Sequence, residues 1–147
     1  MLHLYLLPVY NEEQVITKSV ALLHSALSKH YSGSAHQFKI AIVDNASVDA
    51  TRVLVRQLQH TFPEDLLYFY TPEKGRGSAL KRVSDDFDAD CYTYLDIDLP
   101  IDPDKVPEFV NPVVLGDYDI SLVKRLGSRP FSRTLMTKLH QLFSYIF

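Results

Sequence analysis

An α/β domain with a mainly parallel sheet and helices on both of its faces is the fold class this sequence predicts, on three observations. Segments rich in Leu, Ile, Val and Tyr alternate with segments whose apolar residues recur at helical spacing. Strands joined by helical crossovers run parallel, and such crossovers cover both faces of the sheet. Polar, charged residues follow each strand pattern, and the topology carries all of those strand ends to one edge.

The elements follow in order. Leu2–Leu7 is an apolar run that reads as the first strand. Asn11 with Gln14 three residues on forms a cap signal. Val15/Ile16, Ser19/Val20, Leu22/Leu23 and Ala26/Leu27 then repeat at helical spacing, which predicts a helix capped at Asn11. After a Ser, Gly and His-rich loop over His30–Gln37, Phe38–Val43 is the second strand, and Ser47 is placed to cap a helix carrying Val53, Leu54 and Leu58. Leu66–Tyr70 is the third strand, leading through a Pro/Gly loop to a helix from about Ser78 to Phe87. Cys91–Leu95 is the fourth strand and Tyr118–Val123 the fifth, with a short Pro-rich helical segment between them. No internal repeat or low-complexity linker interrupts the series.

With 147 residues, 46% of them apolar, the chain can bury one real core and no more. Its net charge of −3 gives no reason to expect nucleic acid as a partner. The charge is unevenly spread. Eight aspartates lie between Asp85 and Asp104, whereas residues 120–147 carry Lys124, Arg125, Arg129, Arg133 and Lys138 and no acid. That pattern suggests a metal region followed by an anion- or membrane-facing one, although solvated surface explains either half. Cys91 is the single cysteine, so no internal disulfide forms, and a reducing cytoplasm suits it. Met1–Leu7 lacks the basic start and long apolar stretch of a signal peptide, and no window reaches the roughly 20 apolar residues of a membrane span.

The run Tyr94-Leu95-Asp96-Ile97-Asp98-Leu99 carries the most chemistry. It reads as a buried strand emerging into two carboxylates one residue apart, which alternation turns to the same side. Their repulsion is relieved by a hard cation, Mg²⁺ or Mn²⁺, which keeps positions open for a substrate phosphate. Taken alone, an Asp-x-Asp is more often an ordinary polar strand end. Pro8, Tyr10 and Glu12 after the first strand could wall and hydrogen-bond a base and ribose; the helix dipole alone would also account for Glu12. Asp44 ends the second strand and could accept a base N–H, or serve as a turn residue before Ser47. In Lys74-Gly75-Arg76-Gly77 the glycines allow close backbone approach and Lys74 and Arg76 suit phosphate, a plain Gly-rich turn being the blander account. Lys124 and Arg125 could neutralise a phosphate or be ordinary surface. The scattered histidines argue against zinc, and neither a P-loop nor a G-x-G-x-x-G is present.

Pro8-Val9-Tyr10-Asn11-Glu12-Glu13, Val43-Asp44-Asn45-Ala46-Ser47 with Asp49 and Thr51, Lys74-Gly75-Arg76-Gly77-Ser78-Ala79-Leu80, and Asp96-Ile97-Asp98-Leu99 together resemble, in order and spacing, family 2 glycosyltransferases. The branch most resembled is the dolichyl- and polyprenyl-phosphate sugar synthases, of the dolichol-phosphate mannosyltransferase type. The resemblance implies a GT-A fold, a Rossmann-like nucleotide-binding sandwich. It implies a nucleotide-diphosphate sugar donor, such as GDP-mannose or UDP-glucose, a polyprenyl-phosphate acceptor and inverting transfer. By the same resemblance, Pro8, Tyr10, Glu12 and Asp44 hold the nucleoside, Asp96 and Asp98 the divalent metal and diphosphate, and Arg125 matches an Arg near the phosphates; with Lys74 and Arg76 from the loop reading added to the nucleotide-binding set, Asp96, Asp98 and Arg125 are the expected catalytic residues. The pattern departs from the family at Asn45, where a second Asp is common, and at Ala50, Pro100 and Lys124.

Residues 1–147 are expected to form a single N-terminal, nucleotide-sugar-binding domain, truncated at its C-terminus. The last segment reads as an amphipathic helix with Leu135, Met136, Leu139, Leu142, Phe143 and Ile146 on one face. It suits either packing on the sheet or lying on a membrane, with self-association through exposed apolar surface. A cytoplasmic, peripheral location is expected. Two competing functions are a nucleotide-sugar-binding module without turnover and a phosphohydrolase of the haloacid dehalogenase type. The second ordinarily carries its Asp-x-Asp after the first strand, whereas here three strand-helix units precede it.

Overall fold

The computed structural model describes residues 1–72 and 76–123. Four strands, β1 (Leu2–Val9), β2 (Gln37–Asn45), β3 (Leu66–Thr71) and β4 (Cys91–Tyr94), form one all-parallel sheet in the order β3-β2-β1-β4. Helices α1 (Ile16–Tyr31), α2 (Thr51–Thr61) and α3 (Arg76–Asp86) make the crossovers, and a short 3₁₀ turn at Pro103–Lys105 leads into α4 (Val106–Val114). Among the described residues no helix is long and apolar enough to cross a membrane.

Burial on both faces explains why β1 and β2 read as nearly unbroken apolar runs. Tyr5, Leu7, Val9, Ile40 and Ile42 face one layer, where Ile16, Val20, Leu23 and Leu27 of α1, Val55 and Leu58 of α2, and Val106 and Val110 of α4 cover them. Leu4, Leu6, Ala41 and Val43 face the other layer, beneath Val83 of α3. The chain steps outward from β1 to β3, then returns to the far side of β1 for β4. The strand order therefore reverses between β1 and β4, and in open sheets the strand ends at such a reversal flank a crevice.

Pro8 marks the start of that crevice. The β1–β4 ladder ends with the Leu95 N–H donating to the Leu6 carbonyl at 2.9 Å. In an extended strand Leu6 and Pro8 present their backbone polar groups to the same side, so an N–H at position 8 would point where β4 has already left. A proline, which has none, loses no ladder bond there.

Several sequence expectations need correction. The first helix begins at Ile16, with Val15 as its cap residue, because Asn11 adopts φ 56° and turns the chain before the helix starts. The second begins at Thr51 behind Ala50, not after a Ser47 cap. The fourth strand ends at Tyr94, and Asp96–Asp98 lie in the turn beyond it, closed by the Leu99 N–H to the Asp96 carbonyl at 3.1 Å. Tyr118–Val123 is not a strand. The amides of Asp117 and Tyr118 bond back to the Pro112 carbonyl, and the segment runs exposed without pairing to any described strand. Alternating residues supply a face; a strand also needs a neighbour. The amphipathic segment Leu135–Ile146 lies outside the described residues.

At the amino end of the sheet, His3 is buried with Nδ1 bonded to the Tyr31 hydroxyl, which also meets the Tyr5 hydroxyl at 2.9 Å. Its Nε2 has no hydrogen-bond partner among the described residues, and the His36 ring stands 5.5 Å away. Burial first, then the His36 charge, holds the His3 imidazole below its ordinary value. A histidine depressed in the native state contributes stability that is fully present above the unfolded value near 6.5 and is lost as pH falls through the native value. Thermal melts across pH 7.5 to 5 should show the melting temperature dropping below about pH 6.5, and His3→Phe should flatten that limb; an unchanged slope in the variant assigns the acid sensitivity elsewhere.

Candidate functional site

The crevice is walled on one side by the end of β1. Pro8 is the penultimate residue of the strand, Tyr10 stands 42% exposed beyond its end, and Glu12 follows, half-buried. Across from it, the turn after β4 buries Leu95 and Ile97 and leaves Asp96 and Asp98 exposed, as alternation requires. The Tyr94 hydroxyl donates to Asp96 Oδ1 at 3.2 Å. Glu12 has its carboxyl raised above the ordinary glutamate value, first by burial and then by the negative charges of Asp98 and Asp49. The ends of β1 and β4 therefore bring like charges together with no described cation to offset them.

Asp44 behaves differently. It is wholly buried at the end of β2, where Oδ1 accepts the Ser47 N–H and Oδ2 accepts the Tyr68 hydroxyl, each at 2.8 Å. Arg52 Nε lies 3.8 Å from the same Oδ2, and its guanidinium rests 4.4 Å over the Tyr70 ring. Burial, then donation to Asp44, pushes the Tyr68 hydroxyl up to about 12. Protein donors thus already occupy both oxygens of the carboxylate expected to read a base.

Its neighbour Asn45 carries the unmatched atom. The side chain is 7% exposed, and Nδ2 reaches the carbonyls of Val9 and Val43 through long bonds of 3.4 Å. Those contacts orient the amide and leave Oδ1 buried without a hydrogen-bond partner among the described residues. A buried acceptor with no donor is rare in folded proteins. In the sequence, Asn45 stands out only as a departure from the family pattern, next to the Asp44 expected to read a base.

Lys74 and Arg125 lie outside the described residues, as does Lys124. Arg76 opens α3, so the amino end of that helix follows the carboxyl end of β3, an arrangement that favours anions. Among the described residues no three His, Cys, Asp or Glu side chains stand close enough to hold a metal ion by themselves. Two exposed carboxylates are nonetheless a suitable hard-oxygen donor set for an ion that draws its other ligands from water and phosphate. A groove of about 640 Å³, lined by Tyr92, Tyr94, Phe109, Val110 and Leu122 and reaching Asp96, runs along the outer edge of β4.

The family model described as Glycosyl transferase family 2 matches residues 5–145. Protein RfbJ of Shigella flexneri is 26% identical over 115 residues, covering 78% of this chain and 78% of its own length. A dolichol-phosphate mannosyltransferase of Pyrococcus furiosus is 26% identical over 139 residues, 90% of this chain and 37% of its own. Among solved structures, the mannosyltransferase PcManGT of Pyrobaculum calidifontis, in complex with GDP-Man and Mn²⁺, matches with a TM-score of 0.56 at 22% identity. That match covers 65% of this chain and 27% of PcManGT, and it bears on the fold alone.

The Glu12–Asp98 repulsion has a measurable sign. A carboxyl raised in the native state contributes stability that is full below its unfolded value and is lost as pH rises through the native value. Asp98→Asn should therefore lower the Glu12 titration midpoint, read by carboxyl-carbon NMR, and raise the melting temperature at pH 7 by roughly 1–3 °C. A midpoint that stays put would separate the two carboxylates.

Proposed function

Because this chain belongs to glycosyl transferase family 2 and has the GT-A fold, we propose that it binds a nucleotide-diphosphate sugar, GDP-mannose or UDP-glucose. On this reading it serves transfer of the sugar to a polyprenyl phosphate. The single observation that carries the reading is that Glu12 follows β1 while Asp96 and Asp98 follow β4, the two neighbouring strands between which the strand order reverses. Repelling carboxylates gathered at such an edge suit a polyphosphate ligand that arrives with a cation. The polyprenyl acceptor rests on the resemblance to the P. furiosus relative.

In this proposal Pro8, Tyr10 and Glu12 wall the nucleoside, and Asn45 Oδ1 accepts a base N–H. Asp44 keeps the end of β2 in place through Ser47 and Tyr68. Asp96 and Asp98 would hold Mg²⁺ or Mn²⁺, which supplies positive charge beside the donor diphosphate when bound. Lys74, Arg76 and Arg125 are assigned to the phosphates, beside the amino end of α3. A phosphate oxygen of the acceptor forms a bond to the sugar C1 as the C1–O bond to the diphosphate breaks, with inversion. That oxygen is already anionic near neutral pH, so the chain need supply no base. Action at the cytoplasmic face of a membrane completes the proposal.

Calorimetric titration with GDP-mannose and UDP-glucose, in Mn²⁺ and then in EDTA, tests it. Wild type should bind one of them in a metal-dependent way, Asp98→Asn should lose the metal dependence, and Asn45→Ala should bind about tenfold more weakly. Failure of the wild type to bind either sugar nucleotide overturns the reading, and binding without product formation on a polyprenyl phosphate reduces it to a nucleotide-sugar-binding module.

A further inference from the structure

Between the first two strand ends lies a set of cross-loop hydrogen bonds that the proposed chemistry does not use. The Asn11 N–H donates to Ser47 Oγ at 3.0 Å, and Asn11 Oδ1 accepts the Val48 N–H at 2.9 Å, so Asn11 is bonded to two successive residues of the other loop. Beside it the Glu12 N–H donates to Thr51 Oγ1 at 2.8 Å. The Glu13 N–H donates to Asp49 Oδ2 at 3.2 Å, while Glu13 Oε2 accepts the Ala50 N–H at 2.8 Å. Each loop also holds one non-glycine residue in the left-handed region, Asn11 at φ 56° and Ala46 at φ 63°. Asparagine tolerates that conformation well, and alanine does not.

These bonds add little to the hold of the strands on one another, since β1 and β2 are already zipped from Leu2↔Gln37 to Val9↔Asp44. They govern the loops beyond. Tyr10 and Glu12 flank Asn11 on one side of the clamp, and Ser47, which grips Asn11, is itself held by Asp44. A direct path of bonds thus runs from the end of β2 to the wall formed by Tyr10 and Glu12.

We propose that Asn11 and Ser47 are positioning residues for the nucleotide, locking the β1–α1 and β2–α2 loops into one body so that the nucleoside wall is set before the ligand arrives. Preorganisation of this kind acts on affinity by removing the ordering that binding would otherwise have to impose. The assignment rests on the donor-site reading above and goes beyond it, because neither side chain need touch the ligand. The Val48 bond is solvent-exposed, so its loss should disturb the fold little.

The test measures GDP and UDP affinity by calorimetry, with Mn²⁺ present, alongside thermal melts, in Asn11→Gly, Ser47→Ala, the double variant and Ser47→Thr. Glycine keeps the left-handed backbone and removes only the side-chain acceptor. Asn11→Gly and Ser47→Ala should each weaken nucleotide binding about tenfold with little change in melting temperature. The double variant should lose less than the product of the two, since both break one clamp. Ser47→Thr, which keeps the hydroxyl, should stay within about threefold of wild type. Undiminished affinity in Asn11→Gly, fully multiplicative losses, or a Ser47→Thr that binds as poorly as Ser47→Ala overturns the assignment while leaving the donor site standing. A wild type that binds neither nucleotide overturns both.

Discussion

Burial of β1 and β2 on both faces decides where polar chemistry can occur in this protein. Their side chains meet helices above and below, so a charged group placed mid-strand would be desolvated with nothing to pair it. The strand ends are where a carboxylate or amide can face solvent or a ligand. Reversal of the strand order beside β1 then gathers two of those ends, with Glu12 on one and Asp98 on the other, into one crevice.

Within that edge, the acidic and amide groups fall into two kinds. Asp44 is sealed in and supplied with donors by Ser47 and Tyr68, so it stabilises the loop that carries it. Glu12 has its carboxyl raised by burial and then by the charge of Asp98, and Asn45 Oδ1 has no donor among the described residues. Asp44 and Asn45, adjacent on β2 and so on opposite faces, differ in this respect: the carboxylate has donors on both oxygens, and the amide oxygen has none among the described residues.

The parts of the fold legible in the sequence are those fixed by local periodicity. Continuous apolar runs announced β1 and β2, and the helical recurrence from Val15 to Leu27 announced α1. The exposure of Asp96 and Asp98 over buried Leu95 and Ile97 followed from alternation even though the strand itself stops at Tyr94. What could not be read depended on distant partners. Asn11 and Ser47 each carry a local capping signal, yet their hydrogen-bonding capacity is spent on each other's loops, 36 residues apart in the chain. Tyr118–Val123 has the alternation of a strand without a neighbour to pair with, and the orphaned oxygen of Asn45 is a property of its surroundings and not of its type.

Pro8 has a bearing on which backbone groups the sheet leaves open as well as on where β4 departs. A gap between two parallel strands, flanked by backbone, is an invitation to any extended segment that could slide in and complete the ladder, whether from this chain or another. With no amide hydrogen at position 8, the rim of β1 offers no donor at the first rung an intruding strand would need. The residue at which β4 has left the ladder is thus also the one that withholds a donor from the gap beyond it.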